Sequence, residues 1–479
     1  MSRTITRKEI NVIIMIILCF LGWFLPPFGQ VTELGMKVLG VFFAMVYGWI
    51  FIGLGWVSMF GMVALAMTGA CNINSAFSAG IGNVTVLQIL VGFIMAGVIE
   101  VSGLGKIILA KCLSIKAIGG RPWLFAALLL LAVSLISMFG STMAGVFLVW
   151  AIIKDIALFN NAPEGDRFIA FLIGATVIAA YTMMGTLPFK TGALSFLGFF
   201  YSVDTGLTIE MLSFIVYAVI CFGGALVLLI LFGKFVLRID TSSFVIDANQ
   251  FDELKQVEVT SDNKKGIFLI VLLFVCLLTP GLLPDEWAFT KLMNTWGLLG
   301  SMTVVIALGQ IFTNSKGEVY APFNKICGYI NWDVIWLMAV TFPLSAAMES
   351  TDSGILVSIQ SFIMPLLKDM NPTLFIIIVM IACGLLTQII HNVILGAMFM
   401  PLAINIIMGM GGNPIVLWFA MYFSLCAAYG TPAASVVAGL IFGHEMVPRK
   451  EAVTLGFTYL AAVLIFMCII GIPVGYVIF

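Results

Sequence analysis

Apolar residues run along this chain in long blocks rather than in alternation. "NVIIMIILCFLGWFLPPF", from Asn11, and "KKGIFLIVLLFVCLLTPGLL", from Lys264, approach the length of about 20 residues that crosses a bilayer as a helix. Such blocks recur from end to end, and the alternating short strands of a membrane β-barrel are absent. Backbone in lipid must satisfy its own hydrogen bonds, so the blocks predict helices. The expected fold is an all-α polytopic membrane protein. No small-residue cleavage site follows the first block, which reads as a retained helix.

Interruptions inside the apolar blocks are as informative as the blocks. Two pairs of runs, 122–139 with 142–159 and 373–390 with 393–409, are each divided mid-way by a small or polar break. Each pair reads either as two spans or as a re-entrant hairpin. Each is followed by a segment broken at Gly185-Thr186-Leu187-Pro188 or at Gly430-Thr431-Pro432. Glycine frees the backbone and proline removes a donor, so the helices are expected to unwind there. Irregular backbone at membrane depth survives only where protein buries it or it lines a wet cavity.

These landmarks form two series in the same order. "VTVLQILVGFIMAGVIEVSGLGKII" from Val84 matches "WDVIWLMAVTFPLSAAMESTDSGILVSI" from Trp332; each is an apolar helix ending in a glutamate, Glu100 or Glu349. "LISMFGSTMAGVFLVW" then faces "LTQIIHNVILGAMFMP", and "MMGTLPF" faces "AAYGTPA". The two series lie roughly 250 residues apart, which predicts a duplicated unit of the kind secondary transporters use. Paired Gly/Pro-interrupted segments are the sequence pointer to a transporter binding site.

Composition agrees. Of 479 residues, 62% are hydrophobic and 9% charged, and the mean hydropathy is +1.16, too little charge to cover a soluble protein of this length. The net charge of −1 gives no basis for nucleic-acid binding. Nine cysteines lie in or beside apolar runs without a CxxC pair, and read as packing residues rather than a disulfide or metal framework. Arg3, Arg7 and Lys8, with Lys106, Lys111, Lys116 and Arg121 further on, predict a cytoplasmic N-terminus and cytoplasmic 106–121 segment. The mixed-charge stretch 238–265 reads as a solvated connection between the halves.

The polar side chains at the breaks carry the candidate chemistry. Helix N-termini suit an anion, and unwound carbonyls with hydroxyl and amide oxygens suit Na⁺. Ser137, Ser141 and Thr142 are the candidates at the first break; Thr387, His391 and Asn392 at the second. A serine or threonine in a membrane helix more often returns its hydroxyl to its own backbone. Asn392 is harder to set aside, because an unpaired amide in hydrocarbon is costly. His391, one of two histidines, either binds substrate, couples protons or sits as a neutral hydrogen-bonded ring. Lys190 either attracts an anion or snorkels from a helix end. Glu100 and Glu349 read as interfacial. No HExxH, Walker A, GxSxG or Rossmann fingerprint occurs in a fitting context, so no enzyme is expected, and no cofactor.

With "IEVSGLGKIILA" at 99–110, the two breaks and the two Gly-Thr turns, most of the chain resembles the divalent anion/sodium symporter (DASS) family of di- and tricarboxylate or sulfate transporters. The resemblance implies two inverted repeats, about eleven transmembrane helices and two re-entrant hairpins, with an elevator-type transport domain and a homodimeric scaffold. Scaffold parts would then be 1–118 and 265–370, joined through 241–264. Transport-domain parts would be 119–240, with hairpin 122–159 and broken helix 166–203, and 371–479, with hairpin 373–409 and broken helix 414–443. The family carries a Ser-Asn-Thr motif at each hairpin tip. Here the first falls on Ser141-Thr142-Met143, preceded by Ser137, and the second on His391-Asn392-Val393, preceded by Thr387; both are degenerate. The implied substrate contacts are Ser141, Thr142, Thr186, His391, Asn392, Thr431 and Pro432. The implied Na⁺ contacts are Ser137, Ser141, Thr142, Gly185, Thr387, Ile390, Asn392 and Gly430. The function so implied is secondary transport of an anion, most simply a di- or tricarboxylate, across the cytoplasmic membrane and coupled to Na⁺. Proton coupling or exchange through His391, or an antiporter or channel on a related scaffold, are the alternatives.

Overall fold

The computed structural model describes residues 6–241, 244–246, 257–367, 369–432 and 434–479. Its helices run α1 (Arg7–Leu21), α2 (Glu33–Phe51), α3 (Gly55–Met67), α4 (Ile73–Gly80), α5 (Val84–Val101), α6 (Leu104–Leu113), α7 (Pro122–Phe139), α8 (Thr142–Phe159), α9 (Arg167–Met184), α10 (Thr191–Tyr201) and α11 (Met211–Val236) in the first half. The second half contains α12 (Ser261–Leu282), α13 (Ala288–Ile311), α14 (Phe323–Cys327), α15 (Trp332–Glu349), α16 (Ile355–Leu367), α17 (Pro372–Leu386), α18 (Asn392–Gly409), α19 (Pro414–Cys426), α20 (Val436–Gly443) and α21 (Arg449–Ile478). Among the described residues there is one isolated β-bridge, Thr313 with Val319, and no strand. The chain is thus an all-helical membrane protein. Among the described residues ten helices are long and apolar enough to cross a membrane, or eleven if α16 and α17, which meet at 111°, form one broken span.

The halves repeat element for element. The α2–α3 pair, broken around Gly53, answers to α13, which is kinked at Gly297 with φ 54°. Short α4 answers to short α14, and each precedes a helix of 18 residues, α5 or α15. The arms α7 and α8 answer to α17 and α18, and the broken pairs α9/α10 and α19/α20 follow. Local chemistry starts the corresponding helices alike. Asn83 and Asn331 cap α5 and α15 through their side-chain oxygens, and proline takes the first position of α7 and α17. A capping oxygen satisfies an otherwise orphaned N–H, and proline has no N–H to orphan.

Apolarity alone does not decide which helices lie inside, because a lipid-facing helix is as apolar as a central one. Packing does: every residue from Phe168 to Met183 of α9 is buried, as is all of α19. These two are the first limbs of the two broken helices, so residues 185–188 and the start of the second interruption, up to Gly430, are delivered to the protein interior, while Thr431 is half-buried and Pro432 exposed. Outer helices such as α11, α12 and α21 leave large apolar side chains exposed, for example Phe235, Val271 and Val477, as lipid-facing helices do.

Residues 242–243 and 247–256 of the polar connection 241–264 fall outside the described residues. Within it, residues 244–246 clasp the base of the α7–α8 pair. Asn160, just after α8, exchanges two hydrogen bonds with Val245, and the Gly120 N–H before α7 donates to Ile246 O at 3.0 Å. Phe244 packs edge-on against Phe168 of α9.

Candidate functional site

The first hairpin tip is the turn between α7 and α8. Gly140 is extended, and Ser141 caps α8, its Oγ accepting the Ala144 N–H at 3.2 Å. Thr142 is the first helical residue of α8 and is half-buried. One turn before the tip, the Ser137 hydroxyl is fully buried. Among the described residues, it and Thr290 are the buried side chains whose oxygens find no partner.

Two charged residues from elsewhere meet this turn. Lys190, at the end of the first break, is 7% exposed, and its Nζ donates to the Gly140 carbonyl at 2.7 Å. Glu100, in the last turn of α5, accepts the Ser141 N–H on Oε2 at 2.7 Å. The Gly140 carbonyl and the Ser141 N–H belong to one peptide unit, so a cation and an anion grip its two poles. Neither contact was legible beforehand. Glu100 turns its carboxylate to the tip rather than leaving it without a protein partner, and Lys190 does not snorkel outward but turns inward. A Cβ on Gly140 would stand 3.1 Å from the Ile136 carbonyl oxygen, a backbone atom, so the turn is tight here, and at 3.4 Å it would only touch Glu100 Oε2. A cavity of about 230 Å³ adjoins, lined by Glu100, Lys106, Gly140 and Ser141.

The second tip, between α17 and α18, is stapled by a neutral side chain. Gln388 Nε2 donates at 2.8 Å to both Gly384 O and Ala427 O, and its Oε1 accepts the Gly430 N–H at 2.7 Å. Thr431 Oγ1 adds a hydrogen bond to the Gln388 carbonyl. One amide thereby joins the tip to the second break. Thr387 caps α17 and donates to Leu425 O at 3.4 Å; Ile390 is half-buried; Pro432 is exposed. His391 caps α18, with Nδ1 accepting the Val393 N–H at 3.4 Å, and Asn392 Oδ1 accepts the same N–H at 2.8 Å. Asn392 is buried, and its Nδ2 donates to Tyr181 Oη of α9 at 2.9 Å.

Of the residues expected from the sequence, the structure therefore joins Gly430 and Thr431 through Gln388, links Thr387 to the Leu425 carbonyl, and ties Asn392 to the first half through Tyr181. Gly185 ends α9, and its carbonyl accepts Tyr422 Oη of α19 at 2.9 Å. Thr186 is fully buried and its Oγ1 lies 3.9 Å from Met183 Sδ. Sequence reading missed Gln388, Tyr181 and Tyr422 as site residues. Gln388 had a signal, a second amide in an apolar run; the tyrosines had none, because buried tyrosines serve packing equally well. Glu349, the repeat partner of Glu100, likewise reaches an arm of its own hairpin. Its Oε1 accepts Asn405 Nδ2 of α18 and the Ser345 hydroxyl, each at 3.2 Å, beside a small cavity of about 50 Å³.

This arrangement holds polar backbone and buried amides between hairpin tips and broken helices, the setting in which secondary transporters hold substrate. Residues 38–424 match the family model of citrate transporters. Over 182 residues, 38% of this chain, it is 26% identical to an uncharacterized transporter of Synechocystis sp.. That match covers 26% of the relative's length. The fold is shared with the YdaH transporter of Alcanivorax borkumensis, whose crystal structure was reported to have an unusual topology: the TM-score is 0.57 at 15% identity, over 84% of this chain and 88% of that one. With the family match running from α2 into α19, this chain belongs to the citrate transporter family.

Proposed function

We propose that the chain is a secondary active transporter that carries citrate, or a related di- or tricarboxylate, across the cytoplasmic membrane. The family match carries this reading. It is supported by two α-helix N-termini, at Thr142 and Asn392, that begin at the hairpin tips, where partial positive charge favours carboxylate. Asn392, Thr431 and Thr186 are the side chains proposed to meet substrate, with Ser141, Thr142, His391 and Pro432 around them. Alternating access would move the tips and broken helices, 119–240 and 371–479, against a dimeric scaffold formed by 1–118 and 265–370. Na⁺ is the proposed coupling ion, held by Ser137, Ser141, Thr142 and Gly185 on one side and by Thr387, Ile390, Asn392 and Gly430 on the other.

A second reading, proton coupling, is favoured by one observation. His391 Nδ1 accepts a backbone N–H at the start of α18, an arrangement that only the neutral ring supports. Protonation would remove this contact and leave the Val393 N–H to Asn392 Oδ1 alone. Labelled-citrate uptake into proteoliposomes, with Na⁺ and pH gradients imposed separately, tests both readings. Uptake driven by Na⁺ alone sustains the first, uptake driven by a proton gradient alone sustains the second, and no uptake of any di- or tricarboxylate under either gradient defeats the function.

A further inference from the structure

The two halves staple their hairpin tips to their breaks with different chemistry. In the second half the staple is the neutral Gln388 amide. In the first half it is an ammonium group, buried and seated on the tip carbonyl of Gly140 at 2.7 Å, with Glu100 on the other pole of the same peptide unit. A carbonyl oxygen at a helix break, beside a carboxylate, is what a dissolved hard cation would seek. Here a tethered cation already occupies that carbonyl. The Ser137 hydroxyl, buried one turn before the tip and without a partner, is a further oxygen in the same turn of chain.

We propose that Lys190 is the resident cation of the first half. Its ammonium takes at the Gly140 carbonyl the place of one of the two coupling ions, so the first of the two Na⁺ sites proposed above, at Ser137, Ser141, Thr142 and Gly185, is filled by the protein's own cation and needs no dissolved one. Any cation dependence of transport then arises at the second half, around Thr387, Asn392 and Gly430. This inference rests on the transport reading above. It deepens that reading by dividing the coupling between the halves: one cation is covalent and travels with the protein in both directions, and the net charge moved per cycle falls accordingly. The alternative is that Lys190 and Glu100 are a structural ion pair that merely shapes the turn.

Lys190→Ala, purified and reconstituted, tests it with ethylammonium and Na⁺ as probes. The inference expects uptake to fall by about ten- to hundredfold, as the loss of a hydrogen bond to a charged group would give. It also expects ethylammonium to restore much of that loss while leaving wild type unmoved, and Na⁺ raised beyond the level that saturates wild type to restore the variant alone. The double variant Glu100→Gln/Lys190→Met removes both charges at similar volume and guards against misfolding of the single variant. It should remain inactive although folded. Wild-type-like uptake by Lys190→Ala, or by the double variant, would overturn the inference, as would loss that no cation rescues in a protein of unchanged melting temperature. A readout independent of substrate separates this from failure of the transport reading: ethylammonium should raise the melting temperature of Lys190→Ala and not that of wild type, whether or not citrate is carried.

Discussion

Lys190 and Glu100 grip opposite poles of a single peptide unit: the Lys190 ammonium holds the Gly140 carbonyl, and the Glu100 carboxylate holds the Ser141 N–H. The first comes from a helix break 50 residues after the turn, the second from a helix end 41 residues before it. The turn is thus fixed by groups that belong to two different helices, and each charge has its partner in a neutral dipole aligned by the other. Removing one charge should cost more than removing both, because a buried charge left alone keeps its desolvation penalty. In detergent, Glu100→Gln should lower stability by about 1–3 kcal/mol, and adding Lys190→Met should recover part of that loss. Thermal unfolding of the single and double variants decides it; strictly additive losses would show the two residues act independently.

Gln388 offers the corresponding test in the second half. It satisfies two buried carbonyls and one buried N–H. Gln388→Leu would leave the Gly430 N–H without its partner, a loss of about 1–3 kcal/mol. Gln388→Glu keeps the acceptor for Gly430 but sets carboxylate oxygen against the Ala427 and Gly384 carbonyls. Both variants should melt below wild type, and uptake should fall further than melting does, since the amide is what joins tip to break. A Gln388→Leu protein with wild-type melting and uptake would remove Gln388 from the site.

Asn392 and Tyr181 link the second tip to α9 across the halves. Their coupling in a double-mutant cycle of Asn392→Ala and Tyr181→Phe should be about 0.5–1.5 kcal/mol in unfolding free energy. Substrate binding separates their roles. If Asn392 turns to citrate in the loaded state, Asn392→Ala abolishes the citrate-induced rise in melting temperature while Tyr181→Phe retains it. Equal loss in both variants would make Asn392 a structural residue.

Gly456 of α21 lies against the second break. A Cβ there would stand 2.7 Å from the Gly430 Cα and 3.0 Å from Tyr429 O, both backbone atoms that do not swing aside. Gly456→Ala should therefore destabilise by about 1–3 kcal/mol, the cost of overpacking. Gly443→Ala, where a Cβ meets nothing within 4 Å, is the control and should melt close to wild type. Measured thermal shifts of equal size would refute the close approach.

His391 gives a pH dependence whose sign follows from its hydrogen bond. Its Nδ1 accepts the Val393 N–H only when the ring is neutral. The cap therefore contributes stability at higher pH and loses it as the ring protonates on acidification. His391→Asn supplies a capping oxygen that does not titrate and should flatten that dependence. Melting curves of both proteins from acid to neutral pH, and uptake under an imposed pH gradient, check it; identical pH profiles would take His391 out of both cap and coupling.

The helices, their two-fold repetition and the breaks at the two tips and at Gly185 and Gly430 were legible along the chain, because each depends on local chemistry; the breaks at Gly53 and Gly297 were not anticipated. Long apolar blocks demand internally bonded backbone. Gly185 with Pro188 and Gly430 with Pro432 weaken the helix locally, although Pro280, Pro343 and Pro401 are accommodated inside helices, and the asparagines before α5 and α15 cap the helices that follow them. Even the second tip at His391-Asn392 was visible, since two polar side chains interrupted an apolar run. What the tertiary structure alone decided was which polar group satisfies which. Glu100 read as an interfacial residue and Lys190 as an ambiguous one, because the direction a helix end faces is set by packing against distant elements. Gln388 passed as one more polar residue until the break at Ala427–Gly430 was brought beside it. A buried dipole must find a partner but does not specify where along the chain that partner comes from. Only the packing of α5, the first break and the tip of α7–α8 placed opposite charges on the two ends of one peptide unit.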